Sequence, residues 1–580
     1  MGTGLAVEQG HMPNRWAPTA AAVLLIALAG CGPGRQARRE AARQTLEGMI
    51  DARQPPVFVN HDREGARLWK LTTQFYQKRD YELAWIDGKT PRPAMDELIG
   101  ALKSADQDGL DPELYNASTL AARRAEAARG FLTKAGFDAT EAARLDVWLT
   151  YLYMQFASDL ADGLSDLAHA DPSWKIRGDR FDPLKALDGA LAQNSVAQSL
   201  DDLKPRDPQY AALRGALGRY RQIAAQGGWL RLPPTLQLKP GQRSRAVPDL
   251  ARRLSVSGDY TGRVSDSATE YGPPLQEAVK RFQRRHGLEP DGRVGAEVVA
   301  ALNVPVAARV RQVELNLERW RWLPRDLGDP HVLINIPEYR LEVWDHGQVP
   351  VTMRIVVGKK DTPTPIFADE MTYVVFAPYW NVPSDIAANE TLPSVMRDPS
   401  FLERTHMEVI DSAGNRVDPA SIDLANPSAY RFRQRPGASN SLGLVKFMFP
   451  NQYNVYLHYT PEDSLFARAT RSFSHGCVRL QEPELLARYV LRDQPDWTPE
   501  RIDEAMHGED EKIVKLRQPL PVYLGYWTAR VSGDGLLQFR DDVYGIDARQ
   551  DMLLDRRLEK LKQRAAEAAR VSNARPAGRH

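Results

Sequence analysis

Near residue 330 the hydrophobic period of this chain changes from a helical one to a strand-like one, and that change does most to limit what it can fold into. Before it, Leu145, Trp148, Leu149 and Leu152 share one helical face, and Phe156 and Leu160 continue the stripe. After it, residues 332–336 form an apolar run, and Leu341 and Val343 alternate with Arg340 and Glu342. Asp345-His346-Gly347 then turns the chain toward a second run from Val349 to Val357, the pattern of a hairpin. Further strand-like runs are predicted at 371–377, 453–460 and Pro521–Tyr526. With 580 residues the chain is too long for one core, so three or four domains and a multidomain α+β class are expected.

Residues 60–229 are predicted to be a helical scaffold, punctuated by turns at Asp108-Gly109 and Asp162-Gly163. Residues 238–303 read as a compact three-helix unit. Val247, Leu250 and Leu254 line its first helix, Leu275, Val279 and Phe282 its second, and Val298, Val299 and Leu302 its third. Gly287 stands where a left-handed cap would end the second helix. A helical linker over 304–330 leads to a β-rich domain at 331–495 with a helical insert near 383–405. Residues 496–548 are expected to pack on the scaffold or on that domain, and 549–580 to form a charged, solvated tail. Hydrophobic residues at 43% and a net charge of +1 describe ordinary globular protein and argue against a nucleic-acid partner.

Only two cysteines are present, Cys31 and Cys477, too few for a disulfide framework. Cys31 closes a segment in which Arg15 precedes an apolar run of about 14 residues, short of the ~20 that span a bilayer. Residues 1–30 therefore read as a secretory signal, and Glu8 in its first part favours Met12 as the start. Leu28-Ala29-Gly30-Cys31 resembles a bacterial lipobox. The resemblance implies a lipidated Cys31, a tether over 31–59 and a membrane-anchored periplasmic protein. Gly32 in place of Asp favours the outer membrane by analogy with lipoprotein sorting.

The second cysteine sits in Ser474-His475-Gly476-Cys477-Val478-Arg479. Strand alternation over 453–460 predicts Asn454, Tyr456 and His458 on one face, with Val455 and Leu457 on the core side. Sulfur attacks a carbonyl as thiolate, and an imidazole can take its proton or hold it as an ion pair. Backbone N–H groups around Gly476 and Cys477, with the Tyr456 hydroxyl, could supply an oxyanion site. Spacing alone does not say whether His458 or His475 is the base. An inert buried cysteine, or a zinc site built from His458, His475 and Cys477, are the competing readings.

These residues resemble the signature of the L,D-transpeptidase catalytic domain. Val357-Gly358-Lys359, Thr362-Pro363-Thr364-Pro365, Tyr379-Trp380-Asn381-Val382-Pro383 and Asn440 through Phe447 carry the likeness further. Ala278–Gln283 with Gly287-Leu288 and Asp291–Gly295 resembles the small peptidoglycan-binding domain. Taken together the chain is similar to the large Gram-negative murein L,D-transpeptidases. The resemblance implies Cys477 as nucleophile and His458 as general base and acid, with no cofactor and no metal. It implies peptidoglycan tetrapeptide stems as donor and acceptor, and cross-links between third-position diaminopimelates through a thioester. Carbapenems are expected to acylate the same sulfur. Ser474, His475 and Arg479 are candidate substrate contacts, and for Arg479 an ion pair holding the loop is the alternative. Large members commonly carry Asp after the base; Tyr459 here leaves the local loop and selectivity open. Water or a lipoprotein lysine are alternative acceptors, a non-catalytic wall-binding scaffold is the reading from another class, and a cell-wall synthase or a carboxypeptidase are candidate partners.

Overall fold

The computed structural model describes residues 34–573, except 89, 129–131, 134–135, 165–170, 177, 179, 399, 419–420 and 422–428. Cys31, the signal and the lipobox lie outside the described residues. Among the described residues no helix is long and apolar enough to cross a membrane.

The axis of the scaffold is the helix Ala139–Asp162, started by Asp138, whose carboxylate accepts from the N–H groups of Thr140 and Glu141. The predicted stripe is buried, and so are the residues between its members, because neighbours surround this helix on every side. One neighbour is the helix Arg35–Ile50, which buries Ala42, Leu46 and Ile50. The expected tether is thus a docked element, pinned at its start by Arg39 on Asp87 at 2.5 Å. The expected solvated tail is also a docked helix, Ile546–Asn573. It buries Leu554 and Leu561 and reaches the scaffold through Arg557 on Asp62 at 3.0 Å and Lys562 on Asp111 at 2.9 Å. The linker helix Val306–Arg321 is equally central. Glu318, Arg319 and Arg321 are buried in it, compensated by Glu318–Arg321 at 2.5 Å and Arg319–Asp547 at 2.7 Å. Its 3.6 period shows the helix but not that every face is covered.

The three-helix unit comprises Val247–Val256, Pro273–Arg285 and Ala296–Asn303, and the nine predicted face residues are all buried in a core of its own. Gly287 adopts φ +67°, the left-handed conformation that ends the second helix without a Cβ clash.

The β-rich domain is one nine-stranded sheet. Its strands are β1 His331–Asn335, β2 Arg340–Asp345, β3 Gln348–Gly358, β4 Phe367–Phe376, β5 Val445–Met448, β6 Leu457–His458, β7 Ser472–Ser474, β8 Val478–Leu480 and β9 Lys512–Gly525. The order is β7-β3-β8-β6-β5-β4-β9-β1-β2, and β2 also pairs with β3, so the sheet closes on itself. β9 lies inside the sheet, antiparallel to β4 and parallel to β1. Residues 512–525 therefore complete the β-rich domain instead of packing upon it. The run predicted at 453–460 pairs only over β6. Before it, Asn451 accepts from the N–H groups of Tyr453 and Val455, and Asn454 turns to φ +54°. Asn454 does not share a strand face with Tyr456 and His458.

The insert is larger than the predicted helices. Ser384–Ile386, Ala387–Thr391, Leu392–Arg397 and Phe401–Arg404 stand beside a four-stranded sheet formed by Trp380–Asn381, Met407–Asp411, Arg416–Val417 and Tyr430–Gln434. Val395, Leu402, Val409 and Phe432 give it a separate small core. Phe432→Ala should cost the insert about 3–5 kcal/mol. Limited proteolysis is expected to cut between 384 and 434 while the main thermal transition moves little; an equal shift of the whole protein would show that the insert has no independent core.

Candidate active site

The β6–β8 pairing builds the site. The strands run parallel with Leu457 opposite Val478 and His458 opposite Arg479, and the Val478 N–H donates to the Tyr456 carbonyl at 3.1 Å. Leu457 and Val478 point into the core and are fully buried. With a side-chain period of two, Tyr456, His458, Cys477 and Arg479 share the opposite face. Lys446, paired with His458 across β5, joins them. His458 and Cys477 are diagonal neighbours there, about 7–8 Å apart between Cα atoms and within side-chain reach.

His458 is buried and its Nδ1 lies 2.5 Å from the Tyr459 carbonyl oxygen. A carbonyl only accepts, so Nδ1 carries the proton, and in the neutral ring Nε2 holds the lone pair. Burial pushes the imidazole down to about 3, the Arg479 and Lys446 cations add to this, and the carbonyls of Tyr459 and Leu442 oppose it. The His458 imidazole is therefore neutral near pH 7. Tyr459 supplies its carbonyl, and its ring lies against Gly443, where a Cβ would come within 2.4 Å of the ring. Gly443, at φ +65°, is thus tied to the base by close approach as well as by backbone conformation. Tyr459 thus holds the imidazole through its backbone and not through its side chain.

Cys477 is half-buried, and its Sγ–H points at the Asn454 carbonyl, 3.7 Å away. Burial pushes the thiol up, while the nearby Tyr456 N–H and phenol and the Arg479 cation favour the thiolate. The Tyr456 phenol is itself held far above its ordinary range by burial and by the sulfur. The resting pair is a thiol beside a neutral imidazole. Among the described residues no hydrogen bond joins the two directly; apo sites commonly tighten only with substrate.

The nucleophile loop is held from behind. Gly476 has φ +118°, and its N–H donates to Ser474 Oγ at 3.1 Å, while that hydroxyl donates to the Cys477 carbonyl at 2.5 Å. Ser474 is buried, so its hydroxyl shapes the loop and does not face substrate as expected. The Gly476 N–H is likewise engaged in the resting loop, whereas among the described residues the Cys477 N–H makes no hydrogen bond. Thr364 Oγ1 donates to the Gly476 carbonyl at 2.8 Å and accepts from the Gly358 N–H at 2.9 Å. A Cβ on Gly358 would meet the Thr362 carbonyl at 2.2 Å, so only glycine lets this turn cross the strand. Tyr544, from beyond the sheet, donates to the Gly358 carbonyl at 2.7 Å and braces the same turn.

His475 is exposed, and its Nε2 lies 2.9 Å from Glu390 of the insert. Arg479 forms an ion pair with Glu462, and its buried Nε has no acceptor among the described residues. Asn440 is fully buried and donates to the carbonyls of Pro378 and Arg435 at 3.0 and 2.8 Å while Oδ1 accepts from Leu442 N–H. It fastens the base of the insert to the loop beside His458. His458, His475 and Cys477 do not gather as a ligand set. Among the described residues the acids and histidines close enough to share an ion are Asp329, Asp345 and His346, at a surface turn. Sequence reasoning missed Tyr459 O, Thr364 Oγ1, Tyr544 and Glu390. Only the Thr362–Pro365 and Asn440–Phe447 strings hinted at the first two.

The chain matches three families: residues 70–217 the "Scaffold domain", 243–302 the "Putative peptidoglycan binding domain" and 329–502 the "L,D-transpeptidase catalytic domain". It is 33% identical over 242 residues to a "Putative L,D-transpeptidase" of Haemophilus influenzae, covering 41% of this chain and 48% of that one. The chain thus spans about half the length of that relative. Among solved structures, an L,D-transpeptidase from Mycobacterium smegmatis shows 16% identity at a TM-score of 0.17, over 34% of this chain and 58% of that one. An L,D-transpeptidase from Xylanimonas cellulosilytica gives the same identity and TM-score, over 51% of this chain and 100% of that one.

A thiol beside a neutral base predicts a distinctive titration. Alkylation of Cys477 by iodoacetamide, followed by peptide mass mapping, should accelerate continuously from about pH 6 through pH 9. A plateau near pH 5–6 would reveal a resting thiolate–imidazolium pair instead. Native stability should also fall as pH drops from the ordinary histidine value toward about 3, since the unfolded chain then binds the proton that native His458 refuses. His458→Gln should remove that part of the slope in urea titrations.

Proposed function

We propose that this chain, which carries an L,D-transpeptidase catalytic domain with a scaffold domain and a peptidoglycan-binding domain, cross-links peptidoglycan stems through a cysteine thioester. The observation that carries the reading is the shared sheet face of Tyr456, His458 and Cys477, with His458 neutral and held by the Tyr459 carbonyl.

In this mechanism His458 Nε2 takes the thiol proton as Sγ bonds to the carbonyl carbon of the third stem residue, a diaminopimelate. The carbonyl electrons move to oxygen, where the Tyr456 hydroxyl donates to them. As the carbonyl re-forms, the C–N bond to the terminal D-Ala breaks, and the imidazolium returns its proton to the departing amine. The thioester is then attacked by the side-chain amine of a second stem. A new C–N bond forms, the C–S bond breaks, and the amine proton passes through His458 back to sulfur. Arg479 and Lys446 place positive charge beside the base, suited to stem carboxylates. A lipid anchor at Cys31, set in the outer membrane and facing the periplasm, would put the enzyme against its polymer.

Disaccharide-tetrapeptide incubated with the protein should give a dimer lacking one D-Ala by mass spectrometry, and a carbapenem should add covalently at Cys477. Cys477→Ala should lower turnover by roughly 10³-fold or more, and His458→Ala should do nearly the same, because the two act as a unit. A tripeptide monomer in place of the dimer would assign water as acceptor. No product from folded, reduced protein would contradict both enzymatic readings and leave a wall-binding scaffold.

A further inference from the structure

Between the three-helix unit and the β-rich domain lies a cleft of about 580 Å³. Its walls are Arg284 and residues 286–290 of the three-helix unit, 337–340, 353–354 and 467–471 of the sheet domain, and Arg540, Asp541 and Val543 just past a hairpin of Ala529–Val531 and Leu537–Phe539. The three-helix unit is tied to this hairpin, which in turn holds the sheet domain through Arg530 on Glu338 at 2.8 Å. The Arg285 guanidinium, paired with Asp259 at 2.6 Å, donates to the Leu537 carbonyl, and Arg540 returns a bond to the Arg285 carbonyl at 2.8 Å.

Six arginines line the cleft against three carboxylates, Glu289, Glu338 and Asp541. Two of the arginines are already balanced. Arg340 meets Glu342 at 2.7 Å, and Arg540 lies 3.7 Å from Glu338, which also holds Arg530 at 2.8 Å. Among the described residues the other four have no acidic partner within ion-pair distance. Among the described residues Arg284 makes no side-chain hydrogen bond or ion pair. Arg354 donates only to the Phe466 carbonyl, at 3.0 Å, and Arg468 lies over the Phe473 ring, 5.1 Å from its centroid. Arg471 donates to backbone carbonyls alone, those of Arg468 at 2.6 Å and Tyr339 at 3.2 Å among them. Burial pulls its guanidinium down to about 10, and since Nε, Nη1 and Nη2 all donate to carbonyls it adds charge to the wall and leaves the contacting to Arg284, Arg354 and Arg468. Walls of low dielectric with a surplus of one sign concentrate the field on such a ligand, and a guanidinium fork matches a carboxylate in two parallel bonds.

We propose that this cleft binds the free carboxylates of a peptidoglycan strand outside the reacting stem. The anion preference follows from the cleft itself, whereas the identity of the ligand rests on the wall-peptide reading above. Position supports it. Arg471 opens directly into β7 and the nucleophile loop, so the cleft and Cys477 are separated by six residues of chain, at most about 20 Å. A polymer strand is longer than the roughly 14 Å of an extended tetrapeptide and reaches from Cys477 into the cleft at any separation within that bound.

The full chain carrying Arg284→Glu and Arg468→Glu, both exposed positions, should sediment with insoluble peptidoglycan sacculi at least tenfold more weakly than the native protein. Its acylation by soluble disaccharide-tetrapeptide should stay within twofold, and Arg284→Lys with Arg468→Lys should restore much of the sedimentation. Native protein should bind sacculi with amidated carboxyls at least tenfold more weakly than untreated ones, a comparison that needs no variant to fold. Undiminished binding of the double variant, or of native protein to amidated sacculi, would overturn the proposal. Failure of native protein to react with soluble tetrapeptide would strike the catalytic reading and leave the cleft result standing.

Discussion

The site depends on the register of two short parallel strands. Leu457 against Val478 and His458 against Arg479 is the alignment that turns Tyr456, His458 and Cys477 to one side and buries the intervening apolar residues on the other. A slip of one residue would reverse both faces, taking the base and the nucleophile into the core. Because β6 pairs over only two residues, its register needs support from both sides. On one side β5 pairs with it and buries Phe447 beside Leu457. On the other, β8 is held antiparallel to β3.

Around that pair, backbone groups do what side chains do in more familiar triads. The Tyr459 carbonyl fixes the imidazole tautomer, and the Gly476 and Cys477 peptide groups are held by Ser474 and Thr364. Such contacts tolerate changes of side chain, so the hold of the Tyr459 carbonyl on His458 does not depend on which side chain stands at 459. They do not tolerate changes of backbone. Gly358 and Gly443 each admit a neighbour that a Cβ would displace, at 2.2 and 2.4 Å respectively.

Much of this was legible in the sequence, for identifiable reasons. The thiol, the base and their common face follow from motif and period two, and the three-helix unit follows from a 3.6 period with a glycine stop. Elements that lie far apart in sequence were not legible. Nothing in the run around Lys512–Gly525 shows that it enters the sheet between β4 and β1, and nothing near Tyr544 shows that it reaches Gly358 across 186 positions. Charged helices misled for a related reason. Arg35–Ile50 reads as a tether and the region of Ile546–Asn573 as a solvated tail because their apolar residues are few, yet each aligns those few on one line and docks through ion pairs. Asn454 was misplaced because a side chain two turns of logic away, Asn451, accepts the backbone bonds that a strand would have used.

The protonation state of His458 is the point on which the chemistry turns, and nitrogen-15 NMR of the histidine-labelled protein reads it directly, with His458→Gln providing the assignment. At pH 7 the ring should appear as a neutral imidazole protonated at Nδ1, its Nε2 shifted far downfield as an unprotonated nitrogen. Two similarly shifted protonated nitrogens, the signature of imidazolium, or a proton on Nε2, would contradict the account.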